Sequence, residues 1–409
     1  MAITYRVLTE DDWDEWIAGN ARGFLEDPEG ARAWAEPIRP HFDFDRGIAA
    51  FDGDEMVGKT HSIPFFMSVP GGDLPTAGTT AVTVSSTHRR RGVLTELMRR
   101  QLDDVHGRGE PLAALWASES VIYGRFGYGM AAQSDRVSID RRHTELRADA
   151  PEAPGEVRFV APDAALERWP AIHDRLRESR PGMMTRFSYL WRGFVIPSTE
   201  RREDGFTKRL YVEYSGSEGP EGYAIYTTKA DWPEGVPRGT LRLHELVALN
   251  PVAEAALWRY LFGVDLIGTI QADNRPPDDP LFWMLADPRH LRRIPRDTLW
   301  VRIVDVPTAL EGRAYLTDAR LVLDVTDAFG PWAAGRFELT VENGRASCRP
   351  TDASPDVTIG ADALGAVYLG DVSPSVLARA GRVSGTPEAL RLADAVFRWH
   401  TAPWCIDEF

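Results

Sequence analysis

The chain has 409 residues, 43% apolar and 26% charged, the make-up of a globular protein with room for two or three domains of roughly 150 residues. It contains no stretch of about 18 uncharged apolar residues, so no membrane span is expected. Asp plus Glu outnumber Lys plus Arg by 61 to 47, a formal charge of −14, which argues against a nucleic-acid partner. Acidic residues Glu10 to Glu15 come before any apolar run of signal-peptide length, so none is expected at the start. Cys348 and Cys405 are too few for a disulfide framework or a zinc site, and the nine histidines lack metal-ligand spacing. The expectation is a reducing, cytoplasmic compartment and no metal. Residues 1–60 carry 14 acids and 6 bases, or −8. That excess reads either as a solubilising face or as a region that attracts a cationic small molecule. Only Lys59, Lys208 and Lys229 are lysines.

Residues 4–8 have a strand pattern, and Thr9 followed by Asp12 can cap a helix carrying Trp13 and Ile17 towards Phe24. Glu26-Asp27-Pro28-Glu29-Gly30 then breaks the pattern. Residues 47–51 and 56–69 predict hairpin strands joined at Asp52-Gly53-Asp54, and the β-branched stretch 79–84 runs to Ser85-Ser86. Val93, Leu94, Leu97, Met98, Leu102 and Val105 follow helical spacing. A buried strand over 112–117, a short helix and a strand near 131–139 would complete an α/β unit. The polar, Pro-containing stretch 141–157 marks a first boundary. A second α/β stretch then predicts strands at 207–214, 221–229 and 241–249, a helix opened by Asn250-Pro251, and a strand at 266–271. After a boundary near 288–296, strands at 300–305, 320–325, 335–342 and 345–350 precede helices at 361–369 and 387–397. The expected domains are 1–145, 146–292 and 293–409, all of the α/β (α+β) class.

Val82-Thr83-Val84 leads into His88-Arg89-Arg90-Arg91-Gly92-Val93, a strand feeding an Arg-rich, Gly-containing turn that opens a helix. Free N–H groups at a helix start form an anion site, and Gly lets the backbone approach a diphosphate. The same residues also fit a solvated charge run. Thirty-one residues beyond Gly92, Tyr123 stands in Ser118-Glu119-Ser120-Val121-Ile122-Tyr123-Gly124-Arg125-Phe126-Gly127-Tyr128-Gly129.

Taken together, these motifs resemble the core of the GNAT N-acetyltransferases, whose Arg-x-x-Gly turn holds the pyrophosphate of acetyl-CoA. The superfamily usually continues Gly-x-Gly or Gly-x-Ala, where this chain has Gly92-Val93-Leu94. Arg-Arg-Arg-Gly-aliphatic-Leu with the Ser118–Gly129 motif is similar to the Eis family of aminoglycoside acetyltransferases, and the likeness spans the chain. It implies tandem GNAT domains, the second degenerate and without cofactor (Leu249-Asn250-Pro251-Val252 replaces its turn), followed by a sterol-carrier-protein-like domain. It implies acetyl-CoA bound by Val82, Val84, Arg89, Arg90, Gly92, Val93 and Ser118, and a homo-hexamer with no nucleic-acid or membrane partner.

The resemblance also assigns chemistry. Tyr123 aligns with the general acid that protonates the departing thiolate, while Tyr128 is read as packing. Residues 79–84 hold no carboxylate to act as base. In the Eis family the chain's terminal carboxylate serves instead, here that of Phe409 at the end of the apolar tail Trp404-Cys405-Ile406. Phe24, Glu26, Trp34 and Glu36, with Asp407 and Glu408, are the implied substrate contacts. Aromatic faces and carboxylates suit a polyammonium ligand, although each also fits as a surface acid or core aromatic. The expected reaction is direct acetyl transfer to amines of an aminoglycoside or similar polycation, at several positions. A protein lysine or peptide N-acetyltransferase, or a lipid or sterol carrier with inert GNAT domains, are the alternatives.

Overall fold

The computed structural model describes residues 2–197 and 205–409. The chain forms two compact units. One comprises residues up to Ala132 with Pro181–Thr185 and Asp297–Phe409, and the other comprises Gln133–Arg180 with Arg186–Arg296.

In the first unit, β1 (Thr4–Val7), β2 (Gly47–Asp52), β3 (Glu55–Val69), β4 (Gly72–Val84) and β5 (Leu112–Trp116) lie side by side, followed by Leu299–Ile303 and β6 (Gly129–Met130). Period-2 alternation along β2 sends Ala49 and Phe51 to one face and Ile48 and Ala50 to the other. Helix α1 (Trp13–Phe24) covers the first face with Trp13, Trp16, Ile17 and Ala21, and the Trp13 and Trp16 rings stack at 5.2 Å. Helix α3 (Val93–Gly107) covers the other with Val93 and Leu97, each buried aliphatic side chain contributing about 1.5–3 kcal/mol. Between these two helices in the chain comes α2 (Pro28–Ala35), packed on the α1 side through Ala31 and Ala35 and begun by Asp27, whose Oδ2 accepts from the Gly30 N–H at 2.9 Å. The Glu26–Gly30 stretch expected to end helical structure is therefore also a helix start, since Asp-Pro suits the N-cap and first helical position. A short helix α4 (Ser120–Tyr123) follows β5.

The same unit holds a second, five-stranded sheet, in the order Arg345–Pro350, Gly335–Glu342, Ala319–Thr326, Val357–Gly360, Val383–Gly385. The helix Ala361–Val367 packs onto Leu299–Ile303 and β6. Glycines permit that approach: a Cβ on Gly365 would stand 2.1 Å from the Val301 carbonyl oxygen, and one on Gly129 1.8 Å from that of Asp362.

The second unit has a seven-stranded sheet, in the order Arg292–Asp297, Gln133–Asp140, Ile267–Arg275, Gly239–Ala248, Gly219–Lys229, Leu210–Gly216, Glu156–Phe159. The compact units cut the chain elsewhere than the expected boundaries at 145/146 and 292/293. Gln133–Asp140, read as closing the first domain, pairs antiparallel with Ile267–Arg275. Leu299–Ile303, read as opening the third, pairs with β5 and β6. Hydrogen-bond pairing, not position in the chain, decides to which core a strand belongs.

Candidate active site

The parallel pairing of β4 with β5 is short: Thr76↔Leu112, Ala77↔Ala113 and Gly78↔Ala114. Beyond it β4 runs on to Val84 and β5 to Trp116 without a further ladder pair between them, while Leu299–Ile303 pairs along the whole of the other edge of β5, and the two strands part. A bulge bends β4 further. Between the pairs Lys59↔Thr83 and His61↔Thr80, Ala81 and Val82 stand opposite Thr60 alone, and Ala81 has φ of +54°. An extra residue in one strand increases twist and redirects the backbone beyond it.

The turn after β4 follows through Ser86–His88 to exposed Arg89, Arg90 and Arg91. His88 Nε2 lies 3.1 Å from Asp52 Oδ2, which holds the turn against the β2–β3 hairpin. Arg90 (φ +63°) and Gly92 (φ +81°) take left-handed backbone, and Gly92 caps α3. Among the described residues, no heavy atom beyond its own chain neighbours lies within 4 Å of a Cβ placed on Gly92, so the helix start is an open cradle whose first N–H groups stand beside three guanidinium groups. This fits a pyrophosphate, and so the acetyl-CoA that the motif implies. Val93 is buried in the core, so only its backbone can serve such a ligand. Val82 and Val84 pack partly into the cores on the α3 side.

Tyr123 ends α4 and is 6% exposed. Burial, with Glu119 adding to it, pushes its phenol up to about 12, against a hydrogen bond with the Ser118 side chain that acts the other way. Its ring meets Tyr128 edge-on at 6.1 Å. Tyr128 is fully buried, its hydroxyl hydrogen-bonded to Thr79 Oγ1 of β4 at 3.0 Å, which accords with packing.

The tail reaches the place where β4 and β5 part. The Phe409 ring lies 5.0 Å from that of Phe65, and its Cε2 is 3.1 Å from a Cβ placed on Gly78, the last β4 residue paired to β5. Trp404 and Cys405 are buried, and the Cys405 thiol donates to the Asp407 carbonyl at 3.2 Å. A short segment fastens this tail. Gly182 N–H donates to the Ser68 carbonyl at 2.7 Å and Thr185 N–H to that of Phe66 at 2.9 Å, while Trp404 N–H donates to the Pro181 carbonyl at 2.9 Å.

The proposed substrate residues divide. Gly23 on α1 packs against Thr83, where a Cβ would stand 2.3 Å from Thr83 Cγ2, so the end of α1 with half-exposed Phe24 lies on β4 just past the bulge. Glu26, exposed, follows directly. Trp34 is half exposed on α2, and Glu36 at its end pairs with Arg32 at 3.4 Å. Asp407 is partly buried and Glu408 exposed. The sequence pattern gives no site role to Lys59, Phe65, Gly78 or Pro181–Thr185. Of these only Lys59 carried a signal, a lone lysine inside the run Met56-Val57-Gly58-Lys59-Thr60 in a chain of three lysines.

Comparison with known proteins agrees with this geometry. A model of an acetyltransferase (GNAT) domain matches residues 4–131, a second GNAT model matches 182–303, and a sterol carrier protein domain matches 306–406. The chain is 40% identical over 409 residues to an uncharacterized N-acetyltransferase of Streptomyces avermitilis, spanning 99% of each. It is 36% identical over 412 residues to the N-acetyltransferase Eis of Mycobacterium tuberculosis, spanning 97% of each. It also superimposes on the crystal structure of Eis1 from Mycobacterium abscessus with a TM-score of 0.86 and 33% identity, each chain covered fully. Tandem GNAT domains with a parted sheet above an Arg-Gly helix start define an acetyltransferase enzyme. The chain belongs to the Eis family of N-acetyltransferases.

Proposed function

We propose that the protein transfers acetyl groups from acetyl-CoA to amines of aminoglycosides or similar polycations, with the terminal carboxylate of Phe409 as base and Tyr123 as acid. The observation that carries this reading is the seat of the Phe409 side chain against Gly78, where β4 and β5 separate. Arg89, Arg90 and the Gly92 cradle hold the pyrophosphate. Acetyl-CoA supplies the acetyl group as a thioester, whose C–S bond breaks as the amine nitrogen bonds to the carbonyl carbon. The Phe409 carboxylate takes the proton that the ammonium must lose, and backbone N–H groups of β4 hold charge developing on the carbonyl oxygen.

Tyr123 remains a protonated phenol at every physiological pH, since its pKa lies near 12. Full transfer to a thiolate with a pKa near ~8.5 is uphill. The hydroxyl therefore acts by donating a hydrogen bond as negative charge builds on sulfur, with the proton following as the bond breaks. Phe24 and Glu26 at the end of α1, with Trp34, Glu36, Asp407 and Glu408, offer aromatic faces and carboxylates to a polyammonium ligand. The −8 charge over residues 1–60 draws such a ligand in. In the second unit the parallel pairing also ends, at Leu243↔Ala272. There buried Arg275 fills the gap, donating to the Leu246 carbonyl at 3.0 Å and to Asp279 at 2.7 Å, so we assign acetyl-CoA to the first unit alone. We infer a homo-hexamer from the family likeness, and light scattering checks it.

Mass spectrometry of kanamycin or tobramycin incubated with the protein and acetyl-CoA tests the assignment. Products carrying two or more acetyl groups are expected. Acetylation of a lysine peptide with neither drug modified would refute the polycation reading and leave an N-acetyltransferase of another specificity.

A further inference from the structure

Lys59 is 1% exposed, on β3 beneath α1. Its Nζ donates to Asn20 Oδ1 of α1 at 2.5 Å and to the carbonyl of Ala81 at 3.3 Å, and lies 4.2 Å from the centre of the Trp16 ring. Ala81 is the left-handed residue of the β4 bulge. A non-glycine residue there is strained, and such a conformation persists only where its surroundings hold it. The chain pays for this contact in packing as well. Gly19 leaves room for the lysine stem, a Cβ there standing 2.9 Å from Lys59 Cε, and Gly23 one turn on leaves room for Thr83. Burial first of all, then the Arg22 charge, disfavours the ammonium form of Lys59, with the Glu26 charge acting the other way. None of the chemistry above uses this amine.

We propose that Lys59 is a positioning residue that pins the bulge at Ala81 and ties it to α1, so that the β4 backbone facing the acetyl group and the helix end presenting Phe24 are held in one arrangement. The amine acts through its two hydrogen bonds, one to the strand and one to the helix, and never meets substrate. The consequence for turnover rests on the acetyl-transfer reading; the pin itself does not.

Lys59→Met keeps the length of the stem and removes both donors. In the full chain we expect peptides covering 78–84 to exchange amide hydrogen about tenfold faster than in the parent, with 93–107 unchanged. We also expect kcat for amine acetylation to fall about 10²-fold, with the dissociation constant of coenzyme A within about twofold, because the Gly92 cradle is untouched. A loss of packing alone lowers the melting temperature and leaves kcat of the folded enzyme in place. Asn20→Leu keeps the lysine and removes only its acceptor on α1, so it gives the same two changes at smaller amplitude and decides the matter if Lys59→Met does not fold. Asn20→Asp retains the acceptor oxygen and should restore both. Unchanged exchange at 78–84 overturns the pin whatever the activity. Faster exchange with kcat unchanged overturns the role in turnover. If the parent acetylates no amine while exchange at 78–84 still quickens, the pin stands and the acetyl-transfer reading falls.

Discussion

Adding one glycine after Phe409 separates the tail's anchor from its charge. The aromatic ring keeps its seat between Phe65 and Gly78, but the carboxylate moves outward by one residue, about 3.3–3.6 Å of chain. A general base works within about 2.6–3.2 Å of the proton it takes, so a displacement of that size exceeds the whole working distance. Replacing the displaced group by its amide leaves a neutral acceptor at the original point. The expected loss in kcat is therefore that of a positioned base, about 10²–10⁴-fold, or roughly 3–5 kcal/mol of barrier. The KM for acetyl-CoA should stay within about twofold, because the arginines and Gly92 are unaffected. The assay is steady-state release of free thiol with a polyamine acceptor, run from pH 6 to 9 on the parent and the extended chain. A melting curve confirms that the Trp404–Cys405 anchor survives. If the extended chain keeps kcat within about threefold, the terminal carboxylate is not the base, and the docked tail is only a packing element.

Two further outcomes follow from the same structure. Tyr123→Phe keeps the edge-on ring contact with Tyr128 and removes the donor, so kcat should fall about 10²-fold or more with little change in KM for acetyl-CoA; retention of full kcat in the thiol-release assay would remove Tyr123 from the chemistry. His61 is buried, stacked on Phe42 at 4.0 Å with Nε2 bonded to the Asp43 carbonyl at 2.9 Å, and desolvation first of all lowers its pKa to about 3. The unfolded chain protonates this imidazole below about 6.5 while the folded one does not. The folded state thus loses stability as pH falls from about 6.5 towards 3, by up to ~1.4 kcal/mol per pH unit. Replacing His61 by Gln should flatten the fall in melting temperature between pH 6.5 and 4, and an unaltered slope would show that other groups govern it.

Local chemistry was readable from the chain alone. Thr9 and Asp12 form the expected capping box, the Asp52-Gly53-Asp54 turn joins the hairpin it predicts, and Gly92 starts α3 with the open N-terminus that its position after three arginines implies. These features depend on residues within a few positions of one another, where backbone preference and short-range hydrogen bonding decide the outcome. The Eis-like motifs around Arg89–Gly92 and Ser118–Gly129 are short and contiguous for the same reason, and the family was legible in them. Tertiary structure decided everything that depends on pairing across hundreds of residues. Leu299–Ile303 joins β5, Gln133–Asp140 joins Ile267–Arg275, and Pro181–Thr185 lies between β3 and the tail. An apolar strand pattern states that a segment pairs, but not with which partner, because the ladder bonds are the same for any neighbour of suitable register. The left-handed turn at Ala81 and the burial of Lys59 belong to that second kind. Neither residue type favours its place, and only the sheet, α1 and Asn20 together hold them there.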